Sequence, residues 1–193
     1  MITFLIPFAL IGTTQKETYD REVDNLKGQK VVSILVENVS DDGSVPSRDD
    51  LRNAIELELR SKGIPIANGK QFWATLSTDD AGKLVPKPSL ETELYLRVDS
   101  MSLETISSSG YCYNVVMEAQ VSNYLPHNPL TMANTILWHK GYLLLSARKA
   151  PATVEAQVLS MVKDFELKWL KAHAFKSVDK KHINTALTPR PVI

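Results

Sequence analysis

The chain has 193 residues, a single cysteine and 22 basic side chains balanced by 22 acidic ones. That balance leaves no excess cation for a phosphate backbone, so nucleic acid is not an expected partner. Cys112 alone excludes an internal disulfide and a paired-thiolate metal cluster, while 44% apolar residues suit one folded core rather than a disordered chain.

The opening MITFLIPFALIGTTQ runs apolar from Phe4 to Gly12 and meets no charge before Lys16. A membrane-spanning helix needs roughly 20 apolar residues, so no transmembrane helix is expected here. The length suits the apolar region of a secretion signal, with small residues near a cleavage point at Gly12, although the usual basic flank is missing. Residues 1–12 are therefore read as a signal peptide and 13–29 as a linker. The other reading makes the run an apolar stretch packed on the domain. With no cysteine after the run, a lipobox is absent as written.

A single domain is expected over 30–173. KVVSILVENV at 30–39 is a β-branched run suited to a strand within a sheet. Ser47 and Asp50 then resemble a capping box before RDDLRNAIELELRSK. There Leu51, Ala54, Ile55 and Leu59 share a helical face, and Lys62-Gly63 closes the end. IPI at 64–66 predicts a short strand, and 67–90 reads as a long polar connection.

Three strands in a meander follow. Leu94, Leu96 and Val98 alternate with Tyr95, Arg97 and Asp99, while Tyr111, Tyr113, Val115, Met117, Ala119 and Val121 alternate with Cys112, Asn114, Glu118 and Gln120. One face is core and the other meets water, as in an antiparallel sheet. TILWHKGYLLLS is partly apolar on both faces. Finally Val154, Val158, Met161, Val162, Phe165, Trp169 and Ala172 mark an amphipathic helix whose mixed-sign polar face favours core packing over a membrane surface. Residues 174–193 lose periodicity and read as a flexible tail.

The expected fold is α+β: a single mixed, mostly antiparallel sheet of four to five strands with two helices on one face, in the order β-α-β-β-β-β-α. The stretches VSILVENVSDDGSVPSRDDLRNAIELELRSKGIPI, ETELYLRVDSM, YNVVMEAQV and VEAQVLSMVKDFELKWL resemble a family of small exported bacterial proteins of unknown function. The layout is also similar to the lipopolysaccharide-assembly lipoprotein and the N-terminal domain of the Tol-Pal propeller protein. The resemblance spans roughly residues 30–173 and lies in core patterns and topology. It implies a periplasmic or secreted protein, the alternative being cytoplasmic. Unlike those lipoproteins, this chain has no cysteine to lipidate near its start.

Chemistry-bearing motifs are sparse. His127, His139, His173 and His182 have no ligand-like spacing, and neither a P-loop, a GxGxxG nor a GxSxG is present, so no metal, cofactor or catalytic residue is expected. Phe72 and Trp73, in the 67–90 connection, offer either a binding anchor or packing over the sheet edge. Tyr95, Arg97, Asn114 and Glu118 would line the wet sheet face. The expected role is a non-catalytic binding or assembly module of the cell envelope or periplasm, engaging a protein, a lipid or another copy of itself. The alternative is an enzyme with a site formed by the 67–90 and 105–110 loops.

Overall fold

The computed structural model describes residues 11–37, 39–40, 42–67, 75–104, 109–125 and 128–185. The described residues divide into two compact units, one within 28–166 and the other formed by 11–27 with 167–185.

The larger unit is an α+β arrangement built on strand β1 (Val31–Val36), helix α2 (Arg48–Ser61) and the long strands β4 (Glu91–Glu104), β5 (Ser109–Leu125) and β6 (Asn128–Ser146). Helix α1 (Ile11–Leu26) belongs to the smaller unit, and helix α3 (Pro151–Thr185) contributes to both. The sheet order is β1-β4-β5-β6, with β1 parallel to β4 and the other pairs antiparallel. The expected meander is therefore present, and the sheet is mixed. A separate hairpin pairs β2 (Thr75–Thr78) with β3 (Leu84–Lys87).

Local chemistry explains the ends of α2. The Ser47 hydroxyl accepts from the Asp50 amide at 3.1 Å, satisfying one of the free first-turn N–H groups. At the other end Gly63 adopts φ 72°, a conformation costly for a side chain with a Cβ. Its amide reaches the Arg60 carbonyl at 2.9 Å and the Ile64 amide reaches Leu59 at 3.1 Å, which is the paired bonding of a Schellman stop. Leu51, Ile55 and Leu59 are fully buried on the inner face of the helix.

The core lies between this helical layer and one sheet face. Leu94, Leu96 and Val98 of β4 and Tyr113, Val115, Met117 and Ala119 of β5 are buried there, as are Val154, Val158, Met161, Val162 and Phe165 of α3. Each buried Val, Leu, Met or Phe among them contributes roughly 1.5–3 kcal/mol on burial. Trp138 of β6 meets Phe165 with ring centroids 5.6 Å apart and planes tilted by 53°. Among the described residues, no helix of this unit lies on the opposite sheet face.

Four segments differ from the sequence reading. Residues 13–26, expected within a linker, are helical, because Tyr19, Val23 and Leu26 recur at one helical face even though the stretch is mostly polar. The strand expected at 64–66 is a single parallel bridge, Val32 to Ile66. Part of the 67–90 connection is the β2–β3 hairpin, turned by Asp79, whose carboxylate accepts from the Ala81 and Lys83 amides at 3.0 and 2.8 Å. Helix α3 continues past His173 to Thr185, so much of the expected tail is helical.

In the smaller unit, α1 and the end of α3 are held by charge. Lys168 pairs with Glu22 at 2.7 Å and Lys171 with Asp20 at 3.3 Å. Both ammoniums also sit against the Tyr19 ring, at 5.3 and 4.5 Å from its centroid. Ascending positions on α1 meet descending positions on α3, so the two run antiparallel.

Candidate functional site

The face of the sheet turned away from α2 and α3 brings together all four polar residues expected there. Strand alternation puts Tyr95, Arg97 and Asp99 of β4 on it, with Asn114 and Glu118 of β5. The register then sets the neighbours: Tyr95 lies opposite Glu118, Arg97 opposite Val116, and Asp99 opposite Asn114. On the far side of β5, Glu118 lies opposite His139, Val116 opposite Gly141 and Asn114 opposite Leu143.

Hydrogen bonds fix this strip. Tyr95 donates its hydroxyl to Glu37 at 2.6 Å. That bond, with some burial, pushes the Tyr95 phenol above its ordinary value, so the hydroxyl remains a donor. Asp99 is the centre of the strip: Arg97 Nε lies 3.2 Å from its carboxylate and Asn114 Nδ2 donates to the same oxygen at 3.1 Å. Residue pattern alone singles out Tyr95, Arg97 and Asn114, but not Glu37, which holds Tyr95, or Asp99, which holds the other two. The alternation of β4 already placed Asp99 on the wet face; that its carboxylate links two strands depends on the register.

Apolar side chains border the strip. Met101, Cys112 and Leu145 form the next row across β4, β5 and β6, and Met101 and Leu145 are 59% and 72% exposed. Leu143 and Ile136 extend the border along β6, at 68% and 52% exposed. Toward the other end of the same face, a groove of about 260 Å³ is lined by Ser33, Glu91, Glu93, Gln120 and Met132 among others. Gln120 donates to Glu93 at 3.0 Å across it.

The face therefore offers donors and acceptors held in a flat lattice, with apolar surface beside them, a combination suited to binding a complementary surface. Phe72 and Trp73 lie outside the described residues, as do 68–71, 74 and 105–108 within the two loops of the enzyme alternative. Among the described residues, no group of three or more His, Cys, Asp and Glu is placed to hold a metal ion, and no helix is long and apolar enough to cross a membrane.

No protein-family model matches the chain, and no curated protein matches it significantly. Solved structures give distant likenesses. A hypothetical protein from Chlamydia trachomatis is 10% identical, with 76% of this chain and 99% of that one covered and a TM-score of 0.40. The rare lipoprotein B from Shewanella oneidensis is 11% identical, covering 81% and 98%, with a TM-score of 0.23. A minor lipoprotein from Acinetobacter baumannii is 12% identical, covering 81% and 95%, with a TM-score of 0.24.

Proposed function

We propose that this protein is a non-catalytic binding module of the cell envelope that engages a protein partner through the free face of its sheet. The observation that carries the reading is the Arg97–Asp99–Asn114 lattice, pre-ordered across two strands and bordered by exposed apolar side chains. Pre-ordered polar groups lose little freedom on binding, and the adjoining apolar surface supplies the area such contacts need. The envelope location is supported by the apolar opening run from Phe4 to Gly12.

The test is affinity capture from the native host with the full chain and with Arg97→Glu/Asn114→Arg. A partner retained by the unaltered chain and lost with the double variant, while Arg52→Glu on the exposed side of α2 leaves it in place, supports the reading. A set of bound proteins unchanged by the double variant overturns it. Fractionation of the host, with sequencing of the mature N-terminus, checks location: a chain that retains Met1 and stays in the cytosol removes the envelope part.

A further inference from the structure

The two edges of the main sheet are treated differently. At the β1 edge, the Val32 amide donates to Pro65 at 2.9 Å and the Ala67 amide to Val32 at 2.8 Å, so a neighbouring segment covers part of that backbone. At the other edge β6 is the terminal strand, and among the described residues no further strand pairs with it. It is 19 residues long, well beyond the short lengths by which natural sheets protect an open edge.

This edge is also unfinished on both faces. On the free face Leu143 and Leu145 are largely exposed. On the helix-facing side Tyr142 and Leu144 are only half-buried, whereas Val115 and Tyr113, their partners on β5, are buried. Lys140 carries the only full charge between Trp138 and Ser146, and its ammonium faces Asp164 of α3 at 3.4 Å. The charge that would deter another strand is thus already matched within the chain.

We infer that two copies of this chain associate along β6, antiparallel, about a two-fold axis passing through Gly141 and normal to the sheet. The inference is independent of the envelope reading and of any partner on the free face. Such an axis keeps free face with free face and sets Trp138 against Leu144, His139 against Leu143 and Lys140 against Tyr142 of the second copy. On the helix side the half-buried Leu144 is set beside Trp138, whose ring is already covered, and the ammonium meets an aromatic ring. Lys140 already makes that kind of contact with Tyr142 of its own chain, at 5.8 Å from the ring centroid.

Neighbouring registers are poorer. Centring on Lys140 opposes two ammoniums, and centring on Tyr142 sets Lys140 against Leu144. The irregularity between Ala119 and Gln120, where β6 steps from Trp138 to Ile136, ends the flat segment on one side. The self-complementary segment thus begins at Trp138. The result is a continuous eight-stranded sheet in which the exposed Leu143 and the half-buried Tyr142 and Leu144 gain cover.

The test uses the full chain in sedimentation equilibrium across the micromolar range, together with cross-linking. A Cβ added at Gly141 meets nothing closer than 3.8 Å, so Gly141→Cys in a Cys112→Ser background is accommodated. Directly opposed Cβ atoms about 4.5–5.5 Å apart approach disulfide distance. The expected results are a reversible dimer, rapid disulfide linkage through position 141, none through Leu57→Cys on the exposed side of α2, and a dissociation constant raised about tenfold or more by Leu143→Lys. Leu143 is exposed, so an unchanged circular dichroism spectrum and unfolding midpoint will show that this variant folds. A chain that is monomeric throughout overturns the inference, as does a dimer indifferent to Leu143→Lys or linked equally through both introduced thiols.

Discussion

Trp138 fixes β6 to the helical layer, and removing its ring will show how much of the sheet depends on that anchor. The side chain is 1% exposed and tilted against Phe165, itself fully buried, with centroids 5.6 Å apart. Trp138→Ala removes the indole from a site that close packing prevents from collapsing fully, so a loss of about 3–5 kcal/mol is expected. Phe165→Ala should cost a similar amount. In a cycle with the milder Trp138→Leu and Phe165→Leu, the double variant should lose about 0.5–1.5 kcal/mol less than the sum of the singles, the part belonging to ring on ring. Urea unfolding followed by circular dichroism measures all of these. Losses below about 1 kcal/mol for both alanine variants, the range of surface changes, would refute the assignment of Trp138 as the anchor.

Three other substitutions probe distinct features. Glu166 is buried at 3% exposure and its carboxyl is pushed up by that burial, with Glu58 adding repulsion while Lys62 and Lys163 oppose it. The native state therefore holds its proton more tightly than the unfolded chain, and this group lowers stability as pH rises above 4.5 through the native value. Glu166→Gln should flatten that decline and be more stable at neutral pH, as urea midpoints across a pH series will show. Asp42 has the opposite sign: hydrogen bonds from Ser44 hold its carboxyl near 2, so its contribution is present above 3.8 and lost as pH falls through 2. Thr92 is fully buried and its hydroxyl finds no hydrogen-bond partner, so Thr92→Val should raise stability by about 1 kcal/mol, read from the same titrations. Ser47→Ala removes the N-cap of α2 and should cost about 1 kcal/mol, with a corresponding fall in the thermal midpoint.

Where a residue's surroundings are local, the sequence was readable. Ser47, Asp50 and Gly63 delimit α2 because capping bonds and a left-handed glycine act within a few residues. Tyr95, Arg97, Asn114 and Glu118 share a face because alternation has a period of two and needs no knowledge of the partner strand. Two helical segments carry no such signal: α1 shows few apolar positions, and the final turns of α3 lack a stripe. The β2–β3 hairpin is made of four-residue strands, one containing Pro86, too short for a periodic signal. Asp99 as the link between Arg97 and Asn114 depends on the register of β4 against β5. Whether β6 is an interior or an edge strand depends on the whole sheet order, which its own apolar residues do not reveal.

The pairing of α1 with α3 also bears on how the chain is made. Leu26 closes α1, and Lys168 and Lys171, which hold Glu22 and Asp20, follow about 140 residues later. At roughly 5–20 residues per second this is an interval of about 7–28 s during synthesis. A 16-residue segment is marginal as a helix in isolation. Throughout that interval α1 lacks the lysines that pair with Glu22 and Asp20, whereas β4, β5 and β6 are all made before Lys168 and can pair with their sequence neighbours first. The first described helix to leave the ribosome is thus completed only by the last described one, after the strands between them have been made.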